Sequence, residues 1–279
     1  MNKSIYPWWA KAVVLAFLSA HSLLAQTNSA PPLFPDKGLE AAVRKLVYEK
    51  KDTTNSLTEA DVVNLSTLQA NGMKITNLAG LEKCRSLASL DLSGNNLADL
   101  TPIKTLVNIQ YLNLASNQVA DLTPLGEIKA LQYIELSHNQ VKSLQPLSQL
   151  TNLASLYLTQ NQVSDIAPLL KLPRLTTLYL DHNSVQSIQG INALTRLSML
   201  SLSGNGLVDI APLDGLNSLS SLFLEHNKIA DLAPLVGMLK KDADGPKRFA
   251  PFLNIYLAGN PAPKSQISKL KATGARVTP

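Results

Sequence analysis

Cysteine is nearly absent: Cys84 is the only one in 279 residues, so no internal disulfide can form and an apolar core must hold the fold. Aromatic residues are scarce at 5%, and both tryptophans, Trp8 and Trp9, fall in the opening stretch. The net charge of +5 becomes +3 when Lys3 and Lys11 are set aside, too mild a balance to argue for a nucleic-acid partner. Glycine-rich phosphate loops and HExxH-type metal motifs are also missing, which removes common signatures of nucleotide and zinc chemistry.

What the chain has in abundance is repetition. Segments beginning at Leu65, Leu87, Ile109, Leu131, Leu153, Leu175, Leu197 and Leu219 recur every 22 residues, and a ninth begins at Phe252 after an insertion. Each follows the order LxxLxLxxN, as in Ile109-Gln-Tyr111-Leu112-Asn-Leu114-Ala-Ser-Asn117. Period-2 alternation around the fourth and sixth positions predicts a short strand, and the later apolar residues return the chain over a shared core. Self-similarity of this length specifies a solenoid whose coils depend on their neighbours.

The ninth position is Asn95, Asn117, Asn139, Asn161, Asn183, Asn205, Asn227 and Asn260. An inward amide offers two donors and two acceptor lone pairs to backbone stranded at the turn, so the column is expected to be structural. Four residues later come Asp99, Asp121, Asp165, Asp209 and Asp231, or Ser143 and Ser187, and three further on Pro102, Pro124, Pro146, Pro168, Pro212 and Pro234. A capping side chain followed by a residue with fixed φ predicts a tight 3₁₀ return.

Segments such as LASLDLSGNNLADLTPI and LASLYLTQNQVSDIAPL resemble the leucine-rich repeats of bacterial internalins and of a eukaryotic protein-phosphatase regulatory subunit, over about seven-tenths of the chain. The resemblance implies an α/β, right-handed solenoid with a parallel sheet on its concave face, 3₁₀ or helical returns on the convex face and a helical N-terminal cap. Met73 and Gly80 replace Asn and Pro in the first coil, as an end repeat allows, and Gly190 replaces Pro in the sixth.

The expected organisation is a signal peptide at 1–25, a linker at 26–34, a helical cap at 35–64, repeats at 65–260 with an insertion at 241–251, and a C-terminal cap at 261–279. The leading segment combines Lys3 and Lys11 with a short apolar run from Ala12 to Ala20 and then small residues, the order of a secretory signal, with an uncleaved anchor as the alternative. Cleavage is expected after Ala25. No nearby cysteine supports lipid attachment, and no C-terminal hydrophobic anchor is visible, so the mature chain is expected in a periplasm or secreted. Asp36 and Thr58 with Asp61 are helix-start signals in the N-terminal cap.

Third, fifth and seventh positions of each coil point away from the core, and five of the six tyrosines after residue 25 lie among them. Tyr111 and Tyr133 stand at position three; Tyr157, Tyr179, Phe223 and Tyr256 stand at position five. Asp91 and Glu135 at position five and Asp181 and Glu225 at position seven add acids to the same face. Tyrosine gives large rigid contact area, so these residues form a candidate ligand-binding stripe, whereas simple cross-strand stacking is the bland alternative.

His138, His182 and His226 occupy position eight of alternate coils, but two rungs separate successive members by about 10 Å, too far to share one metal ion. Shallow sheet faces also lack the oxyanion pocket a triad needs. The expectation is therefore a monomeric, non-enzymatic recognition module without metal or cofactor, binding a protein partner, with no membrane span once the signal is removed. Cell-wall glycan binding and a structural envelope role are the alternatives. Lys240, Lys241, Lys247 and Arg248 make the insertion basic, with Phe249 as a possible rim anchor and a longer helix as the structural reading.

Overall fold

Apolar residues at the fourth and sixth positions of each coil point to one side, as Leu112 and Leu114 do with essentially no exposure. In the computed structural model, which describes residues 31–249 and 252–279, this alternation forms ten three-residue strands. They are β1 (Thr67–Gln69), β2 (Ser89–Asp91), β3 (Tyr111–Asn113), β4 (Tyr133–Glu135), β5 (Ser155–Tyr157), β6 (Thr177–Tyr179), β7 (Met199–Ser201), β8 (Ser221–Phe223), β9 (Asn254–Tyr256) and β10 (Arg276–Thr278). The expected signal peptide, 1–25, lies outside the described residues.

Strands pair in chain order as one parallel sheet. Register is in phase, with Tyr111 opposite Tyr133 and Leu112 opposite Ile134, so a column in the sequence becomes a row in space. Between β8 and β9 the pairing of Ser221 with Asn254 spans the insertion without shifting a side chain to the other face. The remaining apolar positions close the coil: Val119, Leu122, Leu125 and Ile128 are all buried in the third repeat.

Each Asn ties its own coil to the preceding one. Asn139 Oδ1 accepts the Val119 N–H at 2.9 Å, and its Nδ2 donates to the carbonyls of Leu114 at 2.9 Å and Leu136 at 3.0 Å. On the return, Asp99, Asp121, Asp165, Asp209 and Asp231 accept the N–H two residues ahead at 2.8 Å, whereas Ser143 and Ser187 do so at 3.4 Å. A Pro inside the next turn, such as Pro102 in Thr101–Ile103, completes a 3₁₀ segment.

Helix α1 (Lys37–Leu46) starts at Asp36, whose Oδ1 accepts the Gly38 N–H, while its Oδ2 accepts the Thr76 N–H and joins helix to first coil. A short helix α2 (Glu59–Val62) begins with a capping box between Thr58 and Asp61. Leu33 and Phe34 depart from the expected linker: Phe34 is buried, and a Cβ at Gly80, whose φ is +94°, would lie 2.0 Å from the Leu33 carbonyl oxygen. Packing thus begins at Leu33, and Leu33–Pro279 form one unit.

Helix α3 (Ala233–Ala243) replaces a 3₁₀ return and runs into the start of the insertion, through Ala243. Asp242 is buried and accepts hydrogen bonds from Arg248 Nε at 2.7 Å and the Phe249 N–H at 3.0 Å. Phe249 is therefore a core plug, 3% exposed, rather than a rim anchor. Phe252 is 68% exposed and Leu253 is fully buried, so Leu253 fills the site expected for Phe252. Helix α4 (Lys264–Ala272) leads into β10, and its Gln266 accepts the Leu232 N–H while donating to Asp231.

Candidate ligand-binding face

Outward residues of a parallel ladder stack on their counterparts one rung, about 4.8 Å, away. Tyr111 and Tyr133 do so with ring centroids 4.5 Å apart and planes 12° from parallel. Tyr157 continues the row at 5.3 Å from Tyr133, and Tyr179 lies 5.1 Å beyond it. Phe223 is 6.1 Å from Tyr179 across the small, buried Ser201, and it stacks on Tyr256 at 4.6 Å.

All six aromatic residues of the candidate stripe thus form one ladder from β3 to β9. Passing from β4 to β5 it moves from position three to position five, making it diagonal. Tyr111 is 36% exposed and the others are half-buried, so stacking covers part of each side chain and leaves the rest on the surface. Burial raises the pKa of Tyr133, helped by Glu135; burial and then Glu135 raise that of Tyr157. Burial, Tyr157 and Asp181 do the same at Tyr179, so these phenols stay neutral donors at physiological pH.

The acids beside the ladder are held by local hydrogen bonds. Glu135 accepts the Ser137 N–H at 2.7 Å, Asp181 accepts the Ser203 N–H at 2.9 Å and the Ser201 hydroxyl, and Glu225 accepts the Ser203 hydroxyl at 2.6 Å. None of these carboxylates joins an ion pair among the described residues. From β1 to β9, no Lys or Arg occupies the third, fifth or seventh position of a coil.

Position eight carries a feature that residue identity concealed. Gly72, Gly94, Ser116, His138, Gln160, His182, Gly204, His226 and Gly259 all have positive φ, between 53° and 74°. His182 covers Gly204, where an added Cβ would lie 2.5 Å from the ring Nδ1, and His226 covers Gly259 in the same way. Left-handed backbone, with glycine where a ring must fit, accounts for His182 and His226, whereas Gln160 follows His138 in the column. No group of three or more potential metal ligands gathers among the described residues.

Cys84 is buried in the core and its thiol is pushed up to about 12, chiefly by burial, which makes it inert. A groove of about 550 Å³ between α3 and α4, lined by Val236, Lys240, Lys269 and Thr273 among others, shares no residue with the ladder. Among the described residues, no helix is long and apolar enough to cross a membrane.

The family model for leucine-rich repeats matches six overlapping windows, 85–127, 107–149, 129–171, 151–194, 173–215 and 195–237. The chain is 30% identical to internalin C2 of Listeria monocytogenes, covering 91% of this chain and 99% of that one, with a TM-score of 0.61. A leucine-rich repeat protein of Leptospira interrogans shares the fold at 21% identity and a TM-score of 0.64, covering 75% of this chain and 59% of the other. The ectodomain of the Arabidopsis thaliana receptor kinase GASSHO1/SCHENGEN3, solved in complex with Casparian strip integrity factor 2, shares it at 24% identity and a TM-score of 0.58, covering 72% and 25%. No curated protein sequence matches.

Proposed function

Because this chain belongs to the leucine-rich repeat family and is internalin-like within it, we propose that it is an exported, non-enzymatic module that binds a protein partner through the outer, concave face of its sheet. The observation that carries the reading is the six-ring ladder. Leucine-rich repeats are typically protein-interaction modules, and here the scarce aromatic residues gather on one surface in stacked, preorganised positions. Fixed rings lose little side-chain freedom on binding, and neutral hydroxyls at their edges can pair with a partner's backbone.

Stacking and recognition are compatible roles for the same rings. Stacking places them; their edges and the acids beside them provide the contact. Export rests on the signal-like segment at 1–25, with a periplasmic or extracellular destination.

The test is site-specific photo-cross-linking in the native envelope and medium. A benzophenone amino acid replacing Tyr157 is expected to capture one protein species, whereas the same probe at exposed Val208, outside the strands, captures none. Capture from both positions alike removes the face from consideration. A glycan-array signal that depends on Tyr157 and Tyr179, with no protein captured, replaces the protein reading by a carbohydrate one.

A further inference from the structure

Building on the reading of the sheet face as the recognition surface, we infer that the partner presents an extended basic segment whose Lys or Arg side chains recur about every third residue. Two parallel rails on the face carry the argument. In β4 Glu135 follows Tyr133 by two residues, Asp181 follows Tyr179 just beyond β6, and Glu225 follows Phe223 just beyond β8. Each carboxylate therefore lies one side-chain step from a ring on the same face, roughly 6.5 Å along the strand.

The two rails move together. Where the ladder shifts from position three to position five, the carboxylates shift from five to seven. Asp91, at position five of the second coil, precedes the ladder and has Ser89 rather than a ring two residues before it, but from the fourth coil onward every outward acid sits beside a ring.

Spacing and charge then select the ligand. The acids occupy every second coil: Asp181 and Glu225, both at position seven, lie about 9.6 Å apart, the length of three residues of extended chain, and Glu135, one side-chain step back along its strand, lies about 12 Å from Asp181. No Lys or Arg lies at the outward positions of these coils, and the ion pairs among the described residues leave all three acids without a cation, although the chain carries a net +5. Serine N–H and hydroxyl donors orient the carboxylates but bring no positive charge. A Lys or Arg whose stem crosses a ring edge and whose head reaches the neighbouring acid satisfies both rails at once. A neutral sugar chain would leave the three charges uncompensated.

Selection of twelve-residue peptides from a random displayed library against the folded chain tests the inference. Two variants separate its parts: Tyr133→Ser/Tyr157→Ser/Tyr179→Ser removes the rings, and Glu135→Gln/Asp181→Asn/Glu225→Gln removes charge while keeping oxygens that accept the serine hydrogen bonds. Expected are ladder-dependent peptides with Lys or Arg at three-residue intervals. Their affinity falls about 10- to 100-fold on the charge-neutral variant and several-fold between 0.05 and 0.5 M NaCl. Peptides that need the rings but lack basic enrichment, lack the three-residue interval, or bind the charge-neutral variant equally overturn the inference and leave the face reading intact. Peptides indifferent to the rings, or none selected at all, overturn both.

Discussion

Replacing Asn139 by Ala should cost the solenoid about 2–4 kcal/mol, and the reason lies in which groups the amide leaves behind. Leu114 O and Leu136 O each receive two Asn amides, from Asn117 and Asn139 and from Asn139 and Asn161 respectively, so both carbonyls keep a partner. The Val119 N–H has Asn139 Oδ1 as its acceptor, and Val119 is fully buried. Stranding that donor costs about 1–3 kcal/mol, and the two weakened carbonyl interactions add about 1 kcal/mol. At about 2–4 °C per kcal/mol for a chain of this size, the midpoint of a thermal melt followed by far-ultraviolet circular dichroism should fall by roughly 4–16 °C. Hydrogen exchange should show the Val119 amide losing protection before its neighbours. A melt displaced by less than a degree, with the Val119 amide still protected, would refute the assignment of the column as the internal stitch between coils.

Gly204→Ala should destabilise by about 1–3 kcal/mol, because the new methyl meets His182 at 2.5 Å and φ is +69°. Adding His182→Gly should return the steric part and leave about 1 kcal/mol of backbone cost, measurable as coupling in a double-mutant cycle. Asp61 is held at about 2 by its hydrogen bond to Lys50, then by Thr58, below the ordinary aspartate value of 3.8. Its contribution is therefore complete above about pH 4 and is lost as pH falls through 2; Asp61→Asn should flatten that part of an acid-unfolding curve, and an unchanged acid limb would exclude the pair from the N-terminal cap's stability. Tyr157→Ser, which breaks contacts at 5.3 and 5.1 Å, should lower stability by about 1–2 kcal/mol in urea while leaving the strand register intact.

The coil was legible because its determinants are composition at fixed positions: Leu in the core, Asn beneath the turn, Asp or Ser and Pro on the return. Each is a local requirement that one residue type satisfies best, so the 22-residue period exposes it. The left-handed eighth position was not legible as such, since Gly, Ser, His and Gln all fill it and only the backbone angle unites them. Phe252 and Leu253 illustrate a second limit: two adjacent apolar residues compete for one core site, and the approach of the insertion decides in favour of Leu253. Phe249 is similar, because the buried Asp242 that accepts its N–H also bonds Arg248 and draws in a segment that composition alone describes as a basic loop. On the sheet face the residue set could be read from the alternation, but the continuous ladder depends on Ser201, whose small side chain lets Tyr179 and Phe223 approach across a rung.

The most direct measurement of the central claim is the equilibrium affinity of the cross-linked partner for the wild-type chain and for Tyr133→Ser/Tyr157→Ser/Tyr179→Ser, each shown to be folded by hydrogen exchange of the Asn-bonded amides. Loss of three ring contacts at an interface centre predicts a fall of at least 100-fold in affinity per folded molecule. Equal affinity for both proteins would contradict the account and reduce the ladder to a means of holding the sheet.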